Sequence, residues 1–232
     1  MDNINVMQKF YTAPIGSLVF CWGLGFISEG IRYFQKFESL ETQKRLAIKR
    51  DIDYDKTAPT HVETKINFSE DVSAEFSGVE VVKFERLLEK NIGLVLAEPI
   101  IETQEEMEWQ LAVVDYLMEY VKRDAPYDIV GFLAFIYRAL DLILPMANLT
   151  KCDFGFAGFC SEIASEVFYM KGGEGFLELE EEPSMISPLE LLYKVNQSKR
   201  MRVSILNNPD NIVNLIYKPE NSGMVSAVPV TI

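Results

Sequence analysis

From Thr60 onward the apolar residues recur at every second position, which is the pattern of a β-strand with two different faces. The segment 61–68 (HVETKINF) has an apolar face and a more polar face, and His61, Glu63 and Lys65 lie on the polar one. Three similar runs follow and predict further strands, at 72–76, 79–84 and 92–100. The sequence therefore predicts a small antiparallel sheet in the first half of the chain.

Other segments predict helices and additional strands around this sheet. Thr103 with Glu106 forms a capping-box signature for a helix that ends near Arg123. We expect the buried stripe of this helix to consist of Met107, Leu111, Val114, Met118 and Val121. Apolar residues at strand spacing predict a buried strand at 15–22, and helical spacing predicts helices at 26–34, 128–142, 160–170 and from 188 after the Ser187 cap. C-terminal edge strands are expected, including 203–208.

Length and charge limit the class of protein. The 232 residues are enough for one domain with a substantial core, and the chain carries a net charge of −13. Such acidity excludes a nucleic-acid partner that relies on clustered Lys and Arg, and it disfavours docking on anionic lipid. We expect no membrane span and no secretory signal, and hence a cytoplasmic protein. The oligomeric state is left open.

Cysteine and histidine usage narrows the possible chemistry. The three cysteines, Cys21, Cys152 and Cys160, have no regular spacing, which favours free thiols over a disulfide framework. Cys21 is expected in the core. The residues Cys152, Asp153, Cys160 and His61 lack the close spacing of zinc ligands, so neither a metal nor another cofactor is expected.

His61 is the only histidine in the chain, so any cysteine–histidine chemistry must use it. Cys160 follows a glycine-rich segment (152–159) and opens a predicted helix, where the helix N-terminus favours a thiolate. A buried structural role for Cys160, on one helical face with Ala164 and Phe168, is the competing interpretation.

A histidine that acts as a base needs a polar partner on its second ring nitrogen. Glu75, on the strand after His61, is the first candidate, Glu63 the second and Glu80 the third. Each of these carboxylates is equally explained as a solvated surface group.

Several stretches, in this order, resemble the permuted papain-like cysteine hydrolases of the YiiX type, which are related to the NlpC-type peptidases. The stretches are IGSLVFCWGLGFISEGIRYF, THVETKI, PYD at 126–128, FCSEIASEVF and SPLELL at 187–192. The resemblance covers most of residues 14–192 and leaves 193–232 as an extension. The chain departs from the family pattern at Ser17, Thr60 and Glu63, and in a charged insert at 35–59.

This resemblance implies an α+β, circularly permuted papain-like fold. It also implies a hydrolase of amide bonds in peptide or cell-wall-type substrates, with Cys160 as nucleophile, His61 as general base and Glu75 as orienting residue. Two alternatives stay open. One is a lipid acyltransferase or thioesterase that uses the same residues, and the other is a non-catalytic binding or assembly protein that keeps the fold.

Overall fold

The computed structural model describes residues 3–23, 28, 31, 58–75, 77–127, 160–179, 182–183 and 186–207. Within them the chain forms α1 (Asn3–Thr12), β1 (Leu18–Gly23), β2 (His61–Lys65), β3 (Glu70–Glu75), β4 (Gly78–Lys83), α2 (Phe84–Lys90), β5 (Asn91–Pro99), α3 (Gln104–Lys122), α4 (Cys160–Glu166), a 3₁₀ turn (Val167–Tyr169), α5 (Pro188–Gln197) and β6 (Met201–Asn207). The predicted α+β class is confirmed.

The six strands form one antiparallel sheet in the order β4-β3-β2-β1-β5-β6. The strands predicted in the first hundred residues are present, and the predicted strand at 203–208 forms β6 at one edge of the sheet. The predicted helices at 26–34 and 128–142, the segment 152–159 with Cys152, and the remaining C-terminal strands lie outside the described residues.

Both faces of the sheet are covered. Val62, Val72 and Ala74 contribute to the larger core together with residues of α3, α4 and α5. On the opposite face, Val19 and Cys21 of β1 join a smaller core with residues of α1 and α2. The two layers explain why even the polar residues of β2 lie inside the protein.

The polar face of β2 differs from a solvated strand face, because Glu63 and Lys65 are each only 1% exposed. The Lys65 ammonium donates hydrogen bonds to the backbone carbonyls of Phe10, Tyr11 and Ala13 at the end of α1. Its positive charge suits the negative end of a helix dipole. Burial lowers the pKa of Lys65 to about 8, and Asp71 and Glu98 oppose this shift.

The predicted capping box of α3 is confirmed, and its predicted stripe is confirmed in part, because Val114, Met118 and Val121 are partly buried against the core. The buried residues of α3 are Trp109, Val113, Leu117 and Tyr120. Met107 and Leu111 are 48% and 67% exposed. The buried residues and the predicted stripe both recur at helical spacing. The buried residues include Trp109, whose large ring occupies the core.

The cap of α3 gives a first testable prediction. The Thr103 hydroxyl accepts a hydrogen bond from the Glu106 amide, and the Glu106 carboxylate accepts one from the Thr103 amide. We expect Thr103→Ala to lower the free energy of unfolding by about 1 kcal/mol, because the Glu106 amide loses its acceptor. Urea denaturation measures the change, and Thr103→Ser is the matched control that keeps the acceptor. A loss of equal size in both variants would contradict the capping role.

Candidate active site

The sheet fixes the backbone of His61 through the residue before it. The Thr60 amide donates a hydrogen bond of 2.8 Å to the carbonyl of Cys21, and the Gly23 amide donates one of 3.0 Å to the Thr60 hydroxyl. His61 then opens β2 with its Cα paired to that of Cys21. The histidine is therefore anchored at the end of a central strand, on a rigid part of the sheet.

The imidazole of His61 has two polar partners on one ring nitrogen. Nε2 lies 2.9 Å from the hydroxyl oxygen of Ser73 in β3 and 3.2 Å from Oε1 of Glu63. The His61 side chain is 22% exposed, whereas Glu63 is 1% exposed. Both partners belong to the sheet and contact the same ring nitrogen, which fixes the orientation of the ring.

The ring also contacts Cys160, the first residue of α4, and α4 packs against β2 and β3. Burial of the ring lowers the pKa of His61, but the Cys160 side chain raises it through charge and a hydrogen bond, and Glu63 adds to the increase. The net result is a pKa well above the ordinary value of 6.5. The structure thus brings together the two predicted residues, which are almost a hundred positions apart in the chain.

The helix that carries Cys160 is held at its other end. Two phenols, those of Tyr116 and Tyr120 in α3, each donate a 2.9 Å hydrogen bond to Oε2 of Glu166, the last residue of α4. Just beyond, the indole nitrogen of Trp109 donates a 2.7 Å hydrogen bond to the carbonyl of Val167. These contacts fix α4 against α3 and so fix where its first residue, Cys160, meets the sheet.

Glu75, the first candidate for the orienting residue, has cations as its partners in this geometry. Its carboxylate lies 3.3 Å from Nη2 of Arg86 and 3.8 Å from Nζ of Lys90, and it is 33% exposed. Glu80, the third candidate, accepts a 2.9 Å hydrogen bond from Nη1 of Arg86. Both glutamates are drawn toward the cations of α2, so the carboxylate beside the imidazole is that of Glu63.

The contact of Ser73 with His61 was not predicted from the sequence, because a serine in a strand has many ordinary roles. Side-chain alternation in β3 does place Ser73 on the same face as Glu75, two residues earlier, at the position that faces Glu63 when the register of β2 and β3 is continued. The expected core position of Cys21 is confirmed, since it is fully buried and its thiol donates to the carbonyl of Val19. Burial and the nearby carboxylates of Glu63 and Asp71 raise the pKa of the Cys21 thiol well above its ordinary value.

The described residues contain no group of three His, Cys, Asp or Glu side chains placed to hold a metal ion. Among the helices of the described ranges, none is both long and apolar enough to cross a membrane.

Comparison of the chain with protein-family models, with curated proteins and with solved structures gave no match. The functional conclusions therefore rest on the residues and their geometry.

Proposed function

We propose that this chain is a cysteine hydrolase that cleaves an amide bond of peptide or cell-wall type in a circularly permuted papain-like fold. The observation that carries the proposal is the contact between the Cys160 side chain, at the start of a helix, and the only imidazole of the chain. A thiol becomes a good nucleophile when a neighbouring base takes its proton and a cation stabilises the thiolate.

In the proposed mechanism, His61 accepts the proton of Cys160, and the thiolate attacks the carbonyl carbon of the substrate. The first amides of α4 have no acceptor within the helix, so the amide of Cys160 can donate to the oxyanion. The imidazolium then protonates the leaving amine, which departs and leaves a thioester on Cys160. Water, deprotonated by His61, attacks the thioester and releases the acid and the free thiol.

Glu63 has a supporting role in this mechanism. Its charge favours the imidazolium form of His61, and Ser73 fixes the orientation of the ring through the same nitrogen. The family that this chain resembles commonly has a glycine at the position of Glu63. The carboxylate of Glu63 therefore distinguishes the proposed site from the sites of that family.

A substrate profile of the wild type and Cys160→Ala tests the proposal. We expect turnover of peptide amides by the wild type and a loss of at least about a thousandfold in the variant, because the nucleophile is gone. Cys21→Ala is the matched control. It should retain turnover, because the Cys21 thiol faces the smaller core rather than α4.

Two outcomes of this profile decide against the amide hydrolase. Turnover of long-chain acyl esters or thioesters alone, with dependence on Cys160, would assign the site to a lipid acyltransferase or thioesterase. Absence of any Cys160-dependent turnover of amides, esters and thioesters would favour the non-catalytic binding or assembly protein.

A further inference from the structure

Beside Glu63 the described residues hold a second buried acid, Asp71, that the proposed mechanism does not use. The Cα of Asp71 in β3 pairs with that of Lys65 in β2, and alternation puts Asp71 on the same sheet face as Glu63. Asp71 is fully buried and Glu63 is 1% exposed. Apart from the contact of Glu63 with His61, their four carboxylate oxygens have no polar partner among the described residues.

The charged groups around this pair come from every described element that packs on it. Lys65, His61, Cys21 and Arg86 act on the pair directly. Further out lie Glu75, Glu80, Glu98, Lys90 and Cys160, which contact or act on those four residues or on each other. Most of the cations are already engaged, because Lys65 binds the carbonyls of α1 while Arg86 and Lys90 contact Glu75 or Glu80.

The buried charges balance only when the pair carries one negative charge. Among the described residues, the His61 ring is the group in contact with a carboxylate of the pair, at 3.2 Å from Glu63, and the Lys65 ammonium is bound to the carbonyls of α1. A second ionised carboxylate would leave a net charge inside the protein without a partner, and burial of an unpaired charge is strongly unfavourable.

We propose that Glu63 and Asp71 share one proton, which resides on Asp71, so that the negative charge is kept on Glu63 beside His61. Asp71 is then a positioning residue that acts on the imidazole through Glu63. The effect on Cys160 rests on the proposed function, but the shared proton is measurable without any substrate.

Two physical effects support this distribution of the proton. Two neighbouring carboxyl groups in a low dielectric do not both ionise at neutral pH. Burial raises the pKa of Asp71 well above its ordinary value, Glu63 raises it further, and Lys65 opposes the increase. The proton therefore belongs on the acid without a cation in contact, and the charge belongs on Glu63, which lies 3.2 Å from the imidazole.

Infrared spectroscopy of the full chain tests the proposal, because a protonated carboxyl group has its own carbonyl band. We expect this band in the wild type at neutral pH, its loss in Asp71→Asn, and its persistence in Glu75→Gln. Glu75 is the matched control, since it lies on the same strand and face but is partly exposed and paired with Arg86. Absence of the band in the wild type, or its persistence in Asp71→Asn, overturns the shared proton.

The Glu63→Gln variant gives a second measurement if Asp71→Asn does not fold. Removing the charge of Glu63 should shift the disappearance of the band to lower pH by about one unit or more, because the repulsion that holds the proton on Asp71 is gone. An unchanged band position would overturn the coupling between the two acids.

The single histidine provides a readout at the site itself. With ¹³C-labelled histidine the NMR signal comes from the His61 ring alone. In the wild type this signal should move once as the ring itself titrates and a second time as Asp71 ionises at alkaline pH. Asp71→Asn should lack this second inflection, and its retention contradicts the inference. If the wild type shows the shared proton but its Cys160 does not react, the proposed function is rejected and the inference about Glu63 and Asp71 stands.

Discussion

Replacing His61 with asparagine should slow the alkylation of Cys160 by limiting iodoacetamide at pH 6 by about tenfold or more. A cysteine without a partner has a pKa near about 8.5 and is almost entirely protonated at pH 6, whereas a neighbouring imidazolium favours the reactive thiolate form. The gain in thiolate is partly offset because nucleophilicity falls as the pKa of a thiol falls, which is why the expected factor is modest.

The pH dependence of this reaction has a defined sign. Because contact with Cys160 and Glu63 raises the pKa of His61 in the folded protein against the effect of burial, the ring stays charged where a free imidazole is neutral. Its contribution to stability is full below about pH 6.5 and is lost as the pH rises through the folded-state pKa. Because the imidazolium also persists over this range, selective labelling of Cys160 should continue from acidic to neutral pH in the wild type. In His61→Asn the labelling should rise only at alkaline pH.

Mass spectrometry of the labelled protein identifies which thiol reacts. Cys21 serves as an internal control, since burial keeps it protonated and inaccessible. Glu75→Gln is the matched control for the site, and it should label at the wild-type rate because its carboxylate contacts Arg86. Equal rates in the wild type and in His61→Asn over this pH range would refute the thiolate–imidazolium pair.

Replacing Trp109 with alanine should cost about 3–5 kcal/mol of the free energy of unfolding, which is the usual range for a large aromatic residue in a core. The indole is 1% exposed and its ring centroid lies 5.7 Å from that of Phe168 and 5.0 Å from that of Phe176. Its nitrogen also satisfies the carbonyl of Val167, which would be left without this donor.

The space around Trp109 is already adapted to its size. A Cβ at Gly16 or Gly173 would lie 2.5 Å from the ring, so glycine at these positions admits the indole. Urea denaturation measures the loss, and Leu111→Ala on the exposed face of the same helix is the matched control, with a change within about 0.5 kcal/mol. Equal losses in the two variants would contradict the central role of this ring.

Much of the fold could be predicted because alternation and capping are local signals. The strand that begins at His61, the capping box at Thr103 and the helix that begins at Cys160 all have the predicted character. The buried side of α3 was predicted only in part. Val114, Met118 and Val121 pack against the core as expected, but spacing alone does not show that the stripe with Trp109 lies deepest. The Trp109 ring decides this through its size, which only the packed structure shows.

The choice of carboxylate beside His61 depended on information that strand patterns lack. Glu63, which shares the polar strand face with His61, was predicted as the second candidate after Glu75. In the structure α1 and α2 cover that face, and Arg86 draws Glu75 away from the histidine. The contact of Cys160 with His61 required the helix to pack on β2 and β3, and the spacing of residues within the chain carries no information about that packing.

The bond between Lys65 and the end of α1 has a consequence for the way the N-terminal segment is attached. The ammonium that stabilises this helix terminus comes from the same strand that presents His61, two residues beyond Glu63. A shortened protein that starts after this helix would lose the Phe10 and Tyr11 carbonyls as acceptors of the buried ammonium and would keep only that of Ala13. Residues 3–12 therefore help to cover the strand that carries His61, and removing this helix should disturb that strand without changing any residue that contacts the imidazole.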